Sequence, residues 1–129
     1  MKKVLMKVLM VEDSPKISGP LEKLLEEIFL EIKLPKPSIK LATGEQEAIK
    51  MISSEKQDLV TLDGNLAENG HGINVLKKID GENWKKTIII SSDEFFLKFC
   101  KVNHILALDK KDLSEETLLP LIKKILGLE

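Results

Sequence analysis

Short apolar runs that alternate with segments of helical period constrain this chain more than any other feature of its sequence. Val8-Leu9-Met10-Val11, Leu59-Val60-Thr61-Leu62 and Thr87-Ile88-Ile89-Ile90 are each about four residues long and have no polar alternation. Such runs suit strands buried on both faces. Between them the period changes to that of a helix. Ile17, Leu21, Leu24, Leu25, Ile28 and Ile32 recur at helical spacing, with Glu22, Lys23, Glu26, Glu27 and Glu31 mostly opposite. Residues 38–41 and 105–108 supply two further strand candidates, and Leu118, Leu121, Ile122 and Ile125 form the stripe of a last helix. The expected fold is therefore α/β: a five-stranded, mainly parallel sheet with helices on both faces, doubly wound in five β/α units. A chain of 129 residues with no linker or low-complexity tract fits one domain, 1–129.

Local signals refine the boundaries. Ser14 before Pro15 predicts a helix N-cap and first position, and Gly19-Pro20 predicts a delay or kink. Pro35 and Pro37 stop that helix. Thr43 with Gln46 three residues on predicts a capping box, Asp80-Gly81 predicts a turn, and Pro120 predicts a bend in the last helix.

Charge excludes several classes of partner. Twenty basic against 21 acidic residues leave a net charge of -1, with no bulk field favouring nucleic acid or an anionic membrane. Every basic residue is lysine, so an anion site must use an ammonium or backbone N–H groups. The N-terminal residues 1–11 read as a strand rather than a signal peptide, because Lys7 splits the apolar stretch and Glu12-Asp13 end it. A single cysteine, Cys100, permits no internal disulfide and no cysteine zinc cluster, and the expected setting is the reducing cytoplasm.

In open α/β sheets ligands bind beyond the carboxyl ends of the strands. Here those ends carry Glu12-Asp13, Asp63, Ser91-Ser92 and Asp109-Lys110-Lys111. Carboxylates converging on one rim repel unless a cation lies among them, and hard oxygens suit Mg²⁺. Blander readings exist for each: a solvated strand end for Glu12-Asp13, an Asp-Gly turn for Asp63-Gly64, and helix caps for the serines. His71 and His104 read as loop and turn residues, Cys100 as a buried helix residue, and Trp84 with Phe95, Phe96 and Phe99 as packing groups or a partner surface.

The motifs Val11-Glu12-Asp13-Ser14, Leu59 to Asp63, His71-Gly72-Ile73-Asn74-Val75-Leu76, Ile88-Ile89-Ile90-Ser91-Ser92 and Leu108-Asp109-Lys110, in this order, resemble the receiver domain of response regulators, the flavodoxin-like fold of the chemotaxis regulator. The resemblance runs over nearly the whole chain. It implies that Asp63 is the phosphoacceptor, that Glu12 and Asp13 are metal-side acids, and that the carbonyl of Asn65 is a further Mg²⁺ ligand. It also implies that Lys110 contacts the phosphoryl group and that a serine ending the fourth strand is the switch hydroxyl. Spacing from Gly72 favours Ser92 over Ser91. The implied partners are a sensor histidine kinase or phosphotransfer protein and a downstream effector, met on a face around the fourth helix, fifth strand and fifth helix. The chain would be a phosphorelay component and not an enzyme.

Departures from the family pattern are specific. Lys111 replaces the usual proline after the lysine, Ala67 replaces a proline after the phosphoacceptor, and Ala107 replaces an aromatic residue three before Lys110. Ala107 and the proline-free loop after Lys110 predict little change within the fifth strand on activation and more near the fourth-strand serines and the Phe95-Phe96 segment. Two alternatives belong to other classes. Thr61-Leu62-Asp63-Gly64-Asn65-Leu66 is similar to the nucleophile loop of haloacid-dehalogenase-like phosphatases, but Thr61 stands where that family has its nucleophilic aspartate. The other alternative is a degenerate receiver that binds protein partners without phosphorylation.

Overall fold

In the computed structural model, which describes residues 5–66 and 70–128, the three most apolar runs become the three inner strands of a parallel sheet. The strands are β1 (Lys7–Val11), β2 (Ser38–Ala42), β3 (Leu59–Asp63), β4 (Thr87–Ser91) and β5 (Leu106–Asp109), in the order β2-β1-β3-β4-β5. All pairings are parallel. Every residue of β3 and β4 is buried, as a strand covered on both faces requires.

Side-chain alternation divides the core in two. Leu9, Val11, Val60, Leu62 and Ile89 face one way and pack on α2 (Glu45–Ser54), α3 (Gly72–Lys78) and α5 (Glu94–Val102) through Ala48, Ile52, Val75, Leu76, Phe96 and Cys100. Val8, Met10, Leu59, Ile88 and Ile90 face the other way, onto α1 (Pro15–Glu31) and α6 (Glu115–Leu126) through Leu21, Leu25, Ile28, Phe29, Leu118 and Ile122. At about 1.5–3 kcal/mol per fully buried aliphatic or aromatic side chain, these two layers dominate the stabilising terms.

Several local expectations are corrected. The Thr43/Gln46 capping box does not form: α2 is capped at Gly44 without a side-chain bond, and Glu47 Oε1 instead accepts from Thr43 N at 2.8 Å. The box residues are displaced by one, because Glu47 rather than Gln46 occupies the third helical position. Asp80-Gly81 is more than a turn. Asp80 caps a short helix, α4 (Gly81–Trp84), by accepting from Asn83 N at 3.0 Å. The family's fourth and fifth helices are thus α5 and α6 here. Ser14 and Pro15 occupy the expected N-cap and first positions, and α1 runs through Pro20 unbroken. Pro20 and Lys16 are both exposed, so the Lys16 carbonyl that loses its helical N–H partner can turn to water.

The aromatic residues separate. Trp84 packs on the core and its Nε1 donates to Leu76 O at 2.8 Å. Phe96 is buried and meets Phe99 edge-on at 6.4 Å, whereas Phe95 is 87% exposed. Cys100 is buried, and His104 has φ of 58° in the turn before β5. Residues 1–4 of the N-terminal run and Ala67 lie outside the described residues. Among the described residues, no helix is long and apolar enough to cross a membrane.

Candidate functional site

The sheet order reverses between β1 and β3, and there the chain brings its acids together. Glu12 extends the β1–β2 ladder by one bond, its N–H donating to Ala42 O at 2.9 Å, which holds its side chain at the rim. Asp63 is the last residue of β3. Glu12 and Asp63 are each only 3% exposed. One carboxylate oxygen from each of Glu12, Asp13 and Asp63 falls within a set whose members all lie within 4.8 Å of one another. Sequence reading brought these three to one rim, and the structure places them within reach of one ion.

Lys110 begins the 3₁₀ turn after β5 and reaches across β4 to Asp63. Its Nζ is 3.1 Å from one carboxylate oxygen and 3.2 Å from the other. The same carboxylate accepts from Asn65 N at 3.1 Å, and Glu12 Oε2 accepts from Ser14 N at 3.1 Å. Lys111 is turned away: its side chain is 78% exposed and its Nζ is 3.8 Å from Asp109.

Charge at the rim does not balance. Three carboxylates face one ammonium, and the consequence falls on Glu12. Burial, the hydrogen bond with Asp63 and the Asp63 charge push the Glu12 carboxyl up to about 8, against the opposing pull of the Ser14 amide and Lys110. A proton on Glu12 therefore offsets the excess charge near neutral pH. A divalent cation would do so more fully.

The two serines occupy different places. β4 pairs with β3 as Asp63↔Ile90, so Ser91 is the first residue beyond that register and remains in the strand. Ser91 is buried and Ser92 exposed, although both line a cleft of about 280 Å³ with Asp63, Gly64, Asn65, His71, Asp93 and Lys110. Spacing from Gly72 favours Ser92, whereas strand pairing places the buried Ser91 next to the Asp63 register. Ser91 Oγ accepts from Asp93 N at 3.0 Å. Asp93 in turn caps α5, accepting from Phe95 N at 2.9 Å. Asp93 thus both caps α5 and lines the cleft.

Gly64 lies where two neighbours leave no room for a side chain. A methyl group there would overlap Ser91 Oγ and come within 2.6 Å of Phe96 Cδ2. The missing side chain lets β3 lie close against the end of β4 and the start of α5.

No protein-family model matches the chain, and no curated protein matches its sequence. Solved structures do match it. A Francisella response-regulator receiver domain superposes with a TM-score of 0.72 at 22% identity, over 95% of this chain and 97% of that one. A response-regulator receiver domain from Clostridium thermocellum gives 0.74 at 17% identity, over 95% of each chain. The receiver domain of a sensor histidine kinase from Pseudomonas aeruginosa PAO1, with a magnesium ion coordinated in its active-site cleft, gives 0.72 at 15% identity, over 96% and 99%. The fold is the receiver fold. Because one fold hosts many functions, the activity has to be argued from the rim itself.

On this receiver fold the donor set fits Mg²⁺. It consists of hard carboxylate oxygens at a rim where one of the acids is otherwise held protonated.

Proposed function

We propose that the chain is a phosphoacceptor receiver, a protein that takes a phosphoryl group onto Asp63 from a phosphohistidine and passes the signal on by contact. One observation carries this reading: a buried carboxylate at the end of the central strand, held by a lysine at 3.1 and 3.2 Å and placed within 4.8 Å of two further acids. A lysine–carboxylate pair placed only for stability would have no need of the neighbouring acids, whose crowding is unfavourable.

In the transfer an Asp63 oxygen attacks phosphorus in line. The P–N bond to the donor imidazole breaks, the ring nitrogen keeps the electron pair and takes a proton, and an acyl phosphate remains on Asp63. Little of this requires covalent help from the protein, so positioning and charge dominate. Glu12, Asp13, Asp63 and the Asn65 carbonyl are the groups that would hold Mg²⁺, which when bound supplies charge neutralisation at the transferred group. Lys110 moves from pairing with a bare carboxylate to pairing with a phosphoryl oxygen. Ser91, with one lone pair already taken by Asp93 N, retains its hydroxyl proton for another phosphoryl oxygen.

The donor is a sensor histidine kinase or phosphotransfer protein, and the recipient an effector protein. The chain is proposed to be a relay component rather than an enzyme that turns over a substrate. Intact-mass measurement after incubation with acetyl phosphate and Mg²⁺ tests this. One phosphoryl group on the wild type and none on Asp63→Asn is expected. Absence of label on the wild type, or its persistence in Asp63→Asn, overturns the reading in favour of a module that only binds partners.

A further inference from the structure

The loop between β3 and α3 carries Asn65 at one end and His71 at the other, and a residue far away in sequence ties it down. Glu45, the first residue of α2, extends its carboxylate to this loop. Its Oε2 accepts from His71 N at 2.8 Å and from Asn74 Nδ2 at 3.0 Å. His71 forms an antiparallel bridge with Asn65, and Leu66 N donates to Gly70 O at 2.9 Å. Glu45 thus holds one side of a narrow ladder whose other side follows Asp63 directly.

Two further features support this. The Asn74 side chain and then the His71 amide pull the Glu45 carboxyl below its ordinary value, so it remains a charged acceptor. Gly70 has φ of +114°, and a methyl group there would overlap the Glu45 carboxylate. The loop therefore admits Glu45 only because residue 70 has no side chain.

We propose that Glu45 is a positioning residue for the phosphorylation site, fixing the loop so that the Asn65 backbone is held beside Asp63 for the metal ion. The inference rests on the phosphoacceptor reading of that rim. Glu45 touches neither the phosphoryl group nor the ion. It acts through the His71–Asn65 bridge.

Mg²⁺ titration followed by backbone amide NMR, together with melting of the metal-free protein, tests the inference. Glu45→Ala is expected to weaken Mg²⁺ binding about tenfold, the scale seen when groups that orient a ligand are removed. The metal-free variant should still fold and melt cooperatively, since Glu45 is half-buried and belongs to neither core layer. Glu45→Gln keeps an oxygen able to accept from both donors and should restore most of the affinity. Gly70→Ala, which displaces the carboxylate, should resemble Glu45→Ala. Equal Mg²⁺ affinity in Glu45→Ala and wild type overturns the inference alone, as does a Gln variant as weak as the Ala variant. A wild type that binds no Mg²⁺ overturns the phosphoacceptor reading and this inference with it.

Discussion

Glu12, the residue just past β1, and Asp63, the last of β3, are buried together at the rim, where burial first and then the neighbouring Asp63 carboxylate favour a proton on Glu12. The Glu12 carboxyl titrates at about 8 in the folded, metal-free chain against 4.5 as its ordinary value. Between those limits the folded state holds a proton that the unfolded state has lost. The stability this group contributes is thus complete below pH 4.5 and is lost as the pH rises through 8. Melting without metal should show the wild type losing stability across that window relative to Glu12→Gln, which has no such proton.

The same proton competes with the ion. Mg²⁺ has to displace it, so apparent Mg²⁺ affinity of the wild type should fall on acidification below pH 8. Calorimetric titration in buffers of different ionisation enthalpy would detect the released proton. No proton release at pH 7 would contradict the proposed occupation of Glu12.

Lys110 is the only cation paired with Asp63 among the described residues, through both carboxylate oxygens. Lys110→Ala removes this pairing and one of the two influences that lower the Glu12 pKa. The variant should still bind Mg²⁺, because none of the three acids is lost. It should label more slowly with acetyl phosphate, or respond less once labelled. Labelling and response both at wild-type level would deny Lys110 its role.

Ser91 and Ser92 should respond differently to truncation. Ser91→Ala removes the buried acceptor of the Asp93 amide and should cost about 1 kcal/mol in chemical denaturation. Ser92→Ala, at an exposed position, should stay within about 0.5 kcal/mol of wild type. With a phosphoryl mimic bound, amide exchange should change around Ser91 and the start of α5 in the wild type and much less in Ser91→Ala. Changes confined to β5 would favour a different switch.

Much of this was readable from sequence for a physical reason. A strand covered on both faces must be apolar throughout, so β1, β3 and β4 announce themselves, and the first polar residue after each marks the rim. Glu12 and Asp63 follow directly from that rule, with Asp13 next to Glu12, whereas Lys110, one residue past Asp109, is singled out by the resemblance to receiver domains. For Ser91 and Ser92 the rule and the spacing from Gly72 point to different residues, because register depends on pairing between strands and not on loop spacing. Glu45 was illegible for a related reason. It lies 26 residues from its partner His71, and a glutamate opening a helix is expected for its dipole alone. The need for glycine at 64 lies with Ser91 and Phe96, far along the chain, whose approach no local pattern discloses.

Phe95 and Phe96 stand side by side at the start of α5 and should behave oppositely. Phe96 is 6% exposed, packs in the core and lies against Gly64, so Phe96→Ala should destabilise by about 3–5 kcal/mol. Phe95 is 87% exposed, and its truncation should change stability by no more than about 0.5 kcal/mol. The two share one helix turn whose cap, Asp93, is bonded to Ser91. A change at Ser91 is therefore expected to reach the position of Phe95 with little movement in β5, where Ala107 offers no side chain large enough to relay it. Amide exchange comparing the metal-free and mimic-bound wild type with Phe95→Ala should show the same protection pattern up to residue 94 in both proteins. If Phe95→Ala instead melts as far below wild type as Phe96→Ala does, Phe95 belongs to the core and the proposed route from Ser91 to the surface of α5 fails.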